Sequence, residues 1–349
     1  MDSISQFLWG ALSAEAVSKN VDRPKVAPWI VGGVCGTLPD LDSFFRSSTD
    51  PLFSTLMHRH FTHSIFFIPI GALIGWLLLF YFFRKERHQW LHYFWLCLIS
   101  YGTHWILDVL TSYGTQIFWP VTDHRFAMDW MSIVDPLVTV PWLVAFIAMF
   151  FLKQKVNVAR AMILFSALYF SWAGTQHYRG QKALQQIAAQ HGHNIERFRL
   201  LPSLANSVWF RAVYLNQGMI HSAGILVEPN GKIRYALGEK RIHEDLTSYK
   251  NLPSESFRQL QIWDWFTGSW MFKTSDESLS FGDGRYTNSA TSFDTLWALT
   301  LDLKNPSQSF RSMPKSISGN GERSPFEGFK LIQNPEGLVE LKPSVASSL

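Results

Sequence analysis

Long stretches without any charged residue constrain this chain more than any other feature. Residues 64–83 and 136–152 are two such runs, and lysine and arginine residues follow both. A helix needs about 20 apolar residues to cross a membrane. Nearly all long apolar runs precede Gln176, so we predict a membrane-embedded, mainly α domain over residues 1–175. It would be a transmembrane bundle of about four to six helices, with the first helix at residues 3–17.

The chain changes character after Gln176. Residues 176–199 have a polar, amphipathic pattern that predicts a linker helix. Pro229-Asn230-Gly231 separates two apolar runs and predicts a hairpin. The strands of that hairpin would be residues 225–227 and 233–235, and further strand-like segments lie at 261–266, 270–273 and 293–301. We therefore predict a small β-rich soluble domain over residues 200–349, with a partly extended tail from residue 304.

Composition excludes some classes of protein. The 349-residue chain has a formal net charge of only +4, and its basic residues form no block of the kind that binds nucleic acid. Cys35 and Cys97 are its only cysteines, so a disulfide framework is excluded by count. The basic residues are better interpreted as a topology signal, because cytoplasmic loops are enriched in lysine and arginine.

Three histidines, His58, His60 and His63, lie directly before the first uncharged run. Neutral imidazole is a common ligand for zinc and similar metals. On a helix His60 and His63 would share a face, whereas His58 and His63 would need a turn to converge. The alternative is an interfacial cluster with Arg59 that anchors a membrane helix. Two further polar motifs in apolar surroundings favour metal binding.

Those two motifs contribute carboxylates and a fourth histidine. His104 and Asp108 are four residues apart, one helical turn, so both project from the same face. They could hold one ion together, or Asp108 could orient the imidazole; the alternative is a paired structural aspartate at a helix end. Asp40 and Asp42 follow Pro39, and alternate residues of an extended segment point to opposite sides. We expect only one of this pair, Asp40, to bind the ion.

The distribution of lysine and arginine places these motifs on one side of the membrane. Basic clusters at 19–25, 84–87 and 153–160 would face the cytoplasm. The opposite ends of the spans, with Asp129 and Asp135, would then face outward together. A His/Asp set suits zinc or manganese, which would lower the pKa of a bound water and stabilise a developing oxyanion. The predicted metal ligands are Asp40, Asp42, His58, His63, His104 and Asp108, of which Asp40, His63, His104 and Asp108 are predicted to be catalytic.

Three motifs in order carry a family resemblance. They are Leu38-Pro39-Asp40-Leu41-Asp42, His58-Arg59-His60-Phe61-Thr62-His63-Ser64, and Tyr101-Gly102-Thr103-His104 followed by Asp108 and Thr111-Ser112-Tyr113-Gly114. Together they resemble the bacterial inner-membrane metal-dependent hydrolases, some of which are described as LexA-binding. The resemblance extends to about residue 310 and weakens in the C-terminal domain, where residues 282–286 depart from the family pattern. It implies metal-dependent hydrolysis in which the six predicted metal ligands are the functional residues. His60, the remaining histidine of the second motif, is ranked below them.

Hypotheses from three classes follow. The first is an inner-membrane hydrolase that acts at the outer face on a lipid-like or phosphoester substrate. The second is a non-catalytic membrane protein whose His/Asp cluster is structural and whose soluble domain binds a protein partner. The third, a transporter, is disfavoured because the polar residues lie at the ends of the spans. We expect a multi-pass protein in contact with membrane lipid, with no nucleic-acid partner and a periplasmic C-terminal domain.

Overall fold

A computed structural model describes residues 1–18, 26–275, 279–312 and 337–341. The chain divides into two compact units. The first unit comprises Met1–Phe45, Met57–Gly174 and Leu204–Asn206; the second comprises Arg46–Leu56, Thr175–Ser203 and Ser207–Leu349. The predicted basic cluster at 19–25 and most of the predicted tail lie outside the described residues.

Helices and short 3₁₀ segments form most of the first unit. The helices of the described chain are α1 (Ser3–Val17), α2 (Pro28–Thr37), α3 (Phe53–Met57), α4 (Ile68–Phe83), α5 (Trp90–Leu110), α6 (Pro136–Phe151), α7 (Lys155–Gln190) and α8 (Ser254–Thr267). The first 3₁₀ segment is Leu38–Phe44 and the second is Phe61–His63. Helix α1 has the predicted bounds, and Asp2 caps it by accepting a hydrogen bond from the Ser5 amide.

Helices α1 and α2 approach each other closely because glycine occupies their contact. A Cβ added to Gly32 would collide with the carbonyl oxygen of Gly10, and one added to Gly36 would lie 3.0 Å from the Gly10 Cα. Small residues permit this kind of approach between helices. The buried ring of Trp9 on α1 stacks on the buried ring of Trp142 on α6, with centroids 5.1 Å apart. Helix α5, which carries two predicted site residues, also packs on α1.

The predicted bundle of about four to six transmembrane helices is wrong. Within the described residues, only α7 is long and apolar enough to cross a membrane by itself. The segment Phe53–His63 and α4 would add a second span if that pair, bent by 89°, crosses as one. Helices α4 and α6 have only 16 residues each. At 1.5 Å per residue each is about 24 Å long, short of the roughly 30 Å hydrocarbon core of a bilayer.

The second unit is rich in β-structure. Its described strands are β1 (Arg197–Pro202), β2 (Trp209–Asn216), β3 (Met219–Val227), β4 (Ile233–Ile242), β5 (Met271–Lys273), β6 (Ser280–Asp283), β7 (Ala298–Thr300), β8 (Phe310–Ser312) and β9 (Val339–Glu340). They form one antiparallel sheet in the order β1-β2-β3-β4-β9 and another in the order β5-β6-β7-β8. Leu184 and Ile187 of α7 share an apolar core with Phe210 and Ile225 of the first sheet.

One local prediction in the second unit is confirmed and another is wrong. The hairpin exists, since β3 and β4 pair with Val227 opposite Ile233. The strand predicted over residues 261–266 does not form, because these residues lie in α8. Buried residues of α8 recur at helical spacing, as Leu260, Trp263 and Phe266 show.

Candidate metal centre

Four of the predicted ligands converge in the first unit. Asp40 lies in the first 3₁₀ segment, His63 lies in the second, and His104 and Asp108 lie on the last turns of α5. One oxygen or nitrogen atom of each side chain lies within 4.8 Å of the corresponding atoms of the others. Among the described residues this is the one group of histidine, cysteine and acidic side chains so arranged, and it could hold a metal ion.

The spacing of the donor atoms suits a single small cation. The Nε2 atoms of His63 and His104 are 3.0 Å apart. Asp40 Oδ1 lies 3.5 Å from each of them, and Asp108 Oδ2 lies 3.2 Å from the first and 3.4 Å from the second. Ligand atoms around a tetrahedral zinc ion, each about 2.0–2.1 Å from the metal, are about 3.3–3.4 Å from one another. Five of the six donor pairs therefore have nearly the separation that such an ion requires, and the sixth, between Asp40 and Asp108, is within 4.8 Å.

Each histidine of the group is oriented through its other ring nitrogen. His104 Nδ1 lies 2.7 Å from the carbonyl oxygen of Gly36, an acceptor, so Nδ1 carries the proton. His63 Nδ1 lies 3.1 Å from Asp42 Oδ2. The Nε2 atoms of both rings then face the centre of the group, 3.0 Å apart, where both can offer a lone pair to a metal ion. Histidine ligands of metals are oriented in this way.

Asp108 uses its two oxygens differently. Oδ1 accepts hydrogen bonds from Gln6 Nε2 at 3.0 Å and from the Met1 amino nitrogen at 2.5 Å, and Arg59 Nη2 lies 3.2 Å away. Oδ2 is buried and makes no hydrogen bond within the described residues, and it is the atom that faces the two histidines. A buried carboxylate oxygen without a donor is costly. A cation in the group would satisfy it.

Both aspartates of the first 3₁₀ segment are held in the ionised form. Burial raises the pKa of Asp40, but the neighbouring His104 and His63 rings outweigh it and hold that pKa well below its usual range. Burial also acts on Asp42, and hydrogen bonds with His58 and His63 likewise lower its pKa. Ionised carboxylates are the form that binds a divalent cation.

The other predicted ligands lie outside this group of four. Asp42 is fully buried behind His63, where its Oδ2 accepts hydrogen bonds from the Arg59 amide and from the Thr62 hydroxyl at 2.9 and 2.8 Å. His58 Nδ1 lies 2.8 Å from Asp42 Oδ1. His60 packs against Trp119 instead, with ring centroids 4.9 Å apart.

The two remaining acidic residues of the predicted outer face are also outside the group. Asp135 caps α6 by accepting from the Leu137 amide, and its other oxygen accepts from the Tyr169 hydroxyl at 2.6 Å. Asp129 is buried and has a positive φ of 58°. Neither side chain belongs to the four-residue group.

Gln6 and Arg59 contact the group and were not among the predicted site residues. Gln6 is buried within the apolar helix α1, and a glutamine in such a setting is a usable signal because a buried amide needs partners. Arg59 is buried, has a positive φ of 61°, and lies over the Tyr113 ring, with its guanidinium carbon 4.8 Å from the centroid. Its position between two histidines of the motif gave no sign of the contact with Asp108.

These observations define a class of protein: a helical unit with a buried His/Asp group that could bind a metal, in a chain whose described residues include one or two candidate membrane spans. Residues 1–180, more than half of the chain, match the family model described as YdjM inner membrane protein. The chain belongs to this family of inner membrane proteins, which confirms the resemblance found in the motifs. No curated protein and no solved structure matches the chain.

Proposed function

We propose that this protein is a metal-dependent hydrolase of the inner membrane, in which Asp40, His63, His104 and Asp108 bind one divalent ion. The observation that carries the proposal is the spacing of their four donor atoms, with both histidines oriented as Nε2 acceptors. Two imidazoles and two carboxylates suit zinc first and manganese second. Such an ion would lower the pKa of a water bound as an additional ligand and would stabilise negative charge that develops on the substrate.

The residues of the group differ in their access to solvent. The side chains of His63 and Asp108 are fully buried, whereas the Asp40 side chain is 15% exposed. The substrate therefore approaches from the side of the first 3₁₀ segment. Large apolar side chains are exposed around that segment, with Leu41 51% and Phe44 73% exposed. This surface supports a lipid-like substrate, and a phosphoester is the bond we propose to be cleaved.

The positions of basic residues support an orientation in the membrane. Arg84 and Lys85 follow α4, and Lys153 and Lys155 lie at the start of α7. Because cytoplasmic segments are enriched in such residues, both helix ends face the cytoplasm and the C-terminal unit is periplasmic. Protease added to spheroplasts should then digest the C-terminal unit. Protection of that unit until the membrane is lysed would place it in the cytoplasm.

Elemental analysis of the detergent-purified full-length protein tests the metal site directly. Wild type should carry stoichiometric zinc or manganese, and His63→Ala and His104→Ala should each lose it. His60→Ala is the matched control, since this histidine lies in the same motif but outside the group, and it should retain the metal. Metal-loaded protein is then screened against soluble phosphoesters and membrane phospholipids. Retention of metal by both ligand variants, or the absence of hydrolysis by metal-loaded wild type, would refute the proposal.

A further inference from the structure

His58 lies beside the metal group without belonging to it. Its ring and the ring of His63 meet edge to face, with centroids 6.2 Å apart. Its side chain is 26% exposed, whereas His63 and His104 are 0% and 1% exposed. A partly exposed imidazole therefore lies next to a buried one that we assign to the metal.

Asp42 connects these two histidines. Its Oδ2 accepts from the Arg59 amide and the Thr62 hydroxyl and lies 3.1 Å from His63 Nδ1. Its Oδ1 lies 2.8 Å from His58 Nδ1. Because the main-chain and hydroxyl donors fix this fully buried carboxylate, it orients both rings at once.

The bond to Asp42 determines which nitrogen of His58 is available. An ionised carboxylate accepts a hydrogen bond, so Nδ1 of His58 carries the proton and Nε2 keeps its lone pair. Nε2 makes no hydrogen bond within the described residues, and it is not among their buried unsatisfied atoms. The base that the ring offers is therefore accessible to solvent.

We infer that His58, oriented by Asp42, is the catalytic residue that transfers the proton in hydrolysis; this inference rests on the proposed function. His58 Nε2 takes a proton from the attacking water as the water oxygen bonds to the phosphorus atom of the substrate. The bond from phosphorus to the leaving oxygen then breaks, and His58 returns the proton to that oxygen. Water is added across the ester bond, and His58 ends the cycle neutral.

The same geometry argues against His58 as a fifth metal ligand. Its Nδ1 is occupied by Asp42, and His58 does not belong to the group of four side chains whose donor atoms lie within 4.8 Å of one another. Turning the ring toward the group would leave Asp42 Oδ1 buried without its partner, which is costly. An imidazole held by a carboxylate, beside a histidine of the candidate metal site, is instead an arrangement that general acid–base catalysis can use.

Parallel measurement of metal content and turnover tests the role. Full-length His58→Gln and His58→Ala are compared with wild type, with His63→Ala, and with His60→Gln as the matched control from the same motif. The probes are bis(p-nitrophenyl) phosphate and phosphatidylcholine in mixed micelles. His58→Gln should keep stoichiometric metal and lose about 10²–10⁴-fold in turnover. His60→Gln should match wild type, and added imidazole should restore part of the turnover of His58→Ala.

Each contrary result has a definite meaning. Loss of metal from the His58 variants, as from His63→Ala, would make His58 a ligand and overturn the inference while the hydrolase proposal stands. Full turnover by metal-loaded His58→Gln would also overturn only the inference. Loss of turnover without rescue by imidazole in His58→Ala would reduce His58 to a structural role. If metal-loaded wild type hydrolyses neither probe, the proposed function and the inference that rests on it both fail.

Discussion

Asp42→Asn is the most informative single substitution, because it changes charge and hydrogen bonding with almost no change in shape. Asp42 Oδ2 has three partners, with Thr62 Oγ1 at 2.8 Å, the Arg59 amide at 2.9 Å and His63 Nδ1 at 3.1 Å, and Oδ1 has His58 Nδ1 at 2.8 Å. An asparagine offers one carbonyl oxygen. Three of the four partners donate to the Oδ2 position, so the carbonyl oxygen of the asparagine takes that position. Its amide nitrogen then faces His58.

Two effects of different size follow. His63 keeps a hydrogen bond but loses the charged partner that orients it, so metal affinity should fall about 10–100-fold, which is about 1.4–2.7 kcal/mol. His58 now faces a donor, so its proton must move to Nε2 and the ring no longer offers a base. In a serine protease the equivalent change of tautomer lowers kcat about 10⁴-fold. Turnover should therefore fall by more than metal occupancy does.

Cobalt(II) titration of the chelator-stripped protein separates these effects, because the visible absorption of tetrahedral cobalt reports binding without a substrate. Turnover is then measured at saturating metal. Asp135→Asn is the control, since that aspartate is also buried and hydrogen-bonded but lies outside the group. A wild-type cobalt affinity in Asp42→Asn would refute the role of Asp42 in orienting His63. Equal losses of affinity and turnover would refute its separate action on His58.

Two further substitutions test packing. Gly32→Ala should destabilise the first unit by about 1–3 kcal/mol, because the added methyl group collides with the α1 backbone. Gly102→Ala is the control and should not destabilise the unit, because its methyl group meets only an ordinary contact at 3.5 Å. Thermal unfolding in detergent compares the two variants. Arg211→Met should destabilise the second unit, because it leaves the buried carbonyl groups of Gly284 and Ala290 without a donor, at about 1–3 kcal/mol each. Arg241→Met, which removes an exposed ion pair, should cost less than about 1 kcal/mol. Limited proteolysis or chemical denaturation measures both arginine variants.

The contrast between the confirmed helix α1 and the wrong transmembrane bundle has a simple cause. Helical spacing and a cap residue define α1 within 15 residues, and both are local properties. The uncharged run over residues 64–83 shows the length of the apolar stretch but not the residue at which the helix begins. Pro69 stands at the start of α4, where proline is favoured because the amide it lacks would have no helical partner, and residues 64–67 form turns. The uncharged run therefore overstated the length of the helix.

The sequence predicted the part of the candidate site that depends on residue spacing within one secondary-structure element. His104 and Asp108 share a face because both lie on α5 four residues apart. Asp40 and Asp42 do separate, with one in the group and one behind His63, although the segment is 3₁₀ and not extended as predicted. In a 3₁₀ helix residues two apart differ by about 240° around the axis, so they also point in different directions. The contacts of Arg59 and Gln6 depend on tertiary packing, which spacing cannot show.

Breaks in the helices explain how a group of buried charges forms within apolar surroundings. Asp40 follows α2 in a segment that begins with Leu38-Pro39, and His63 lies at the 89° bend before α4. A regular helix would place these side chains along its length, where each would need its own partner. At a break the main chain turns and exposes amides, such as that of Arg59, which can hold a carboxylate. The interruptions that shorten the apolar helices therefore also bring Asp40 and His63 against His104 and Asp108 of α5.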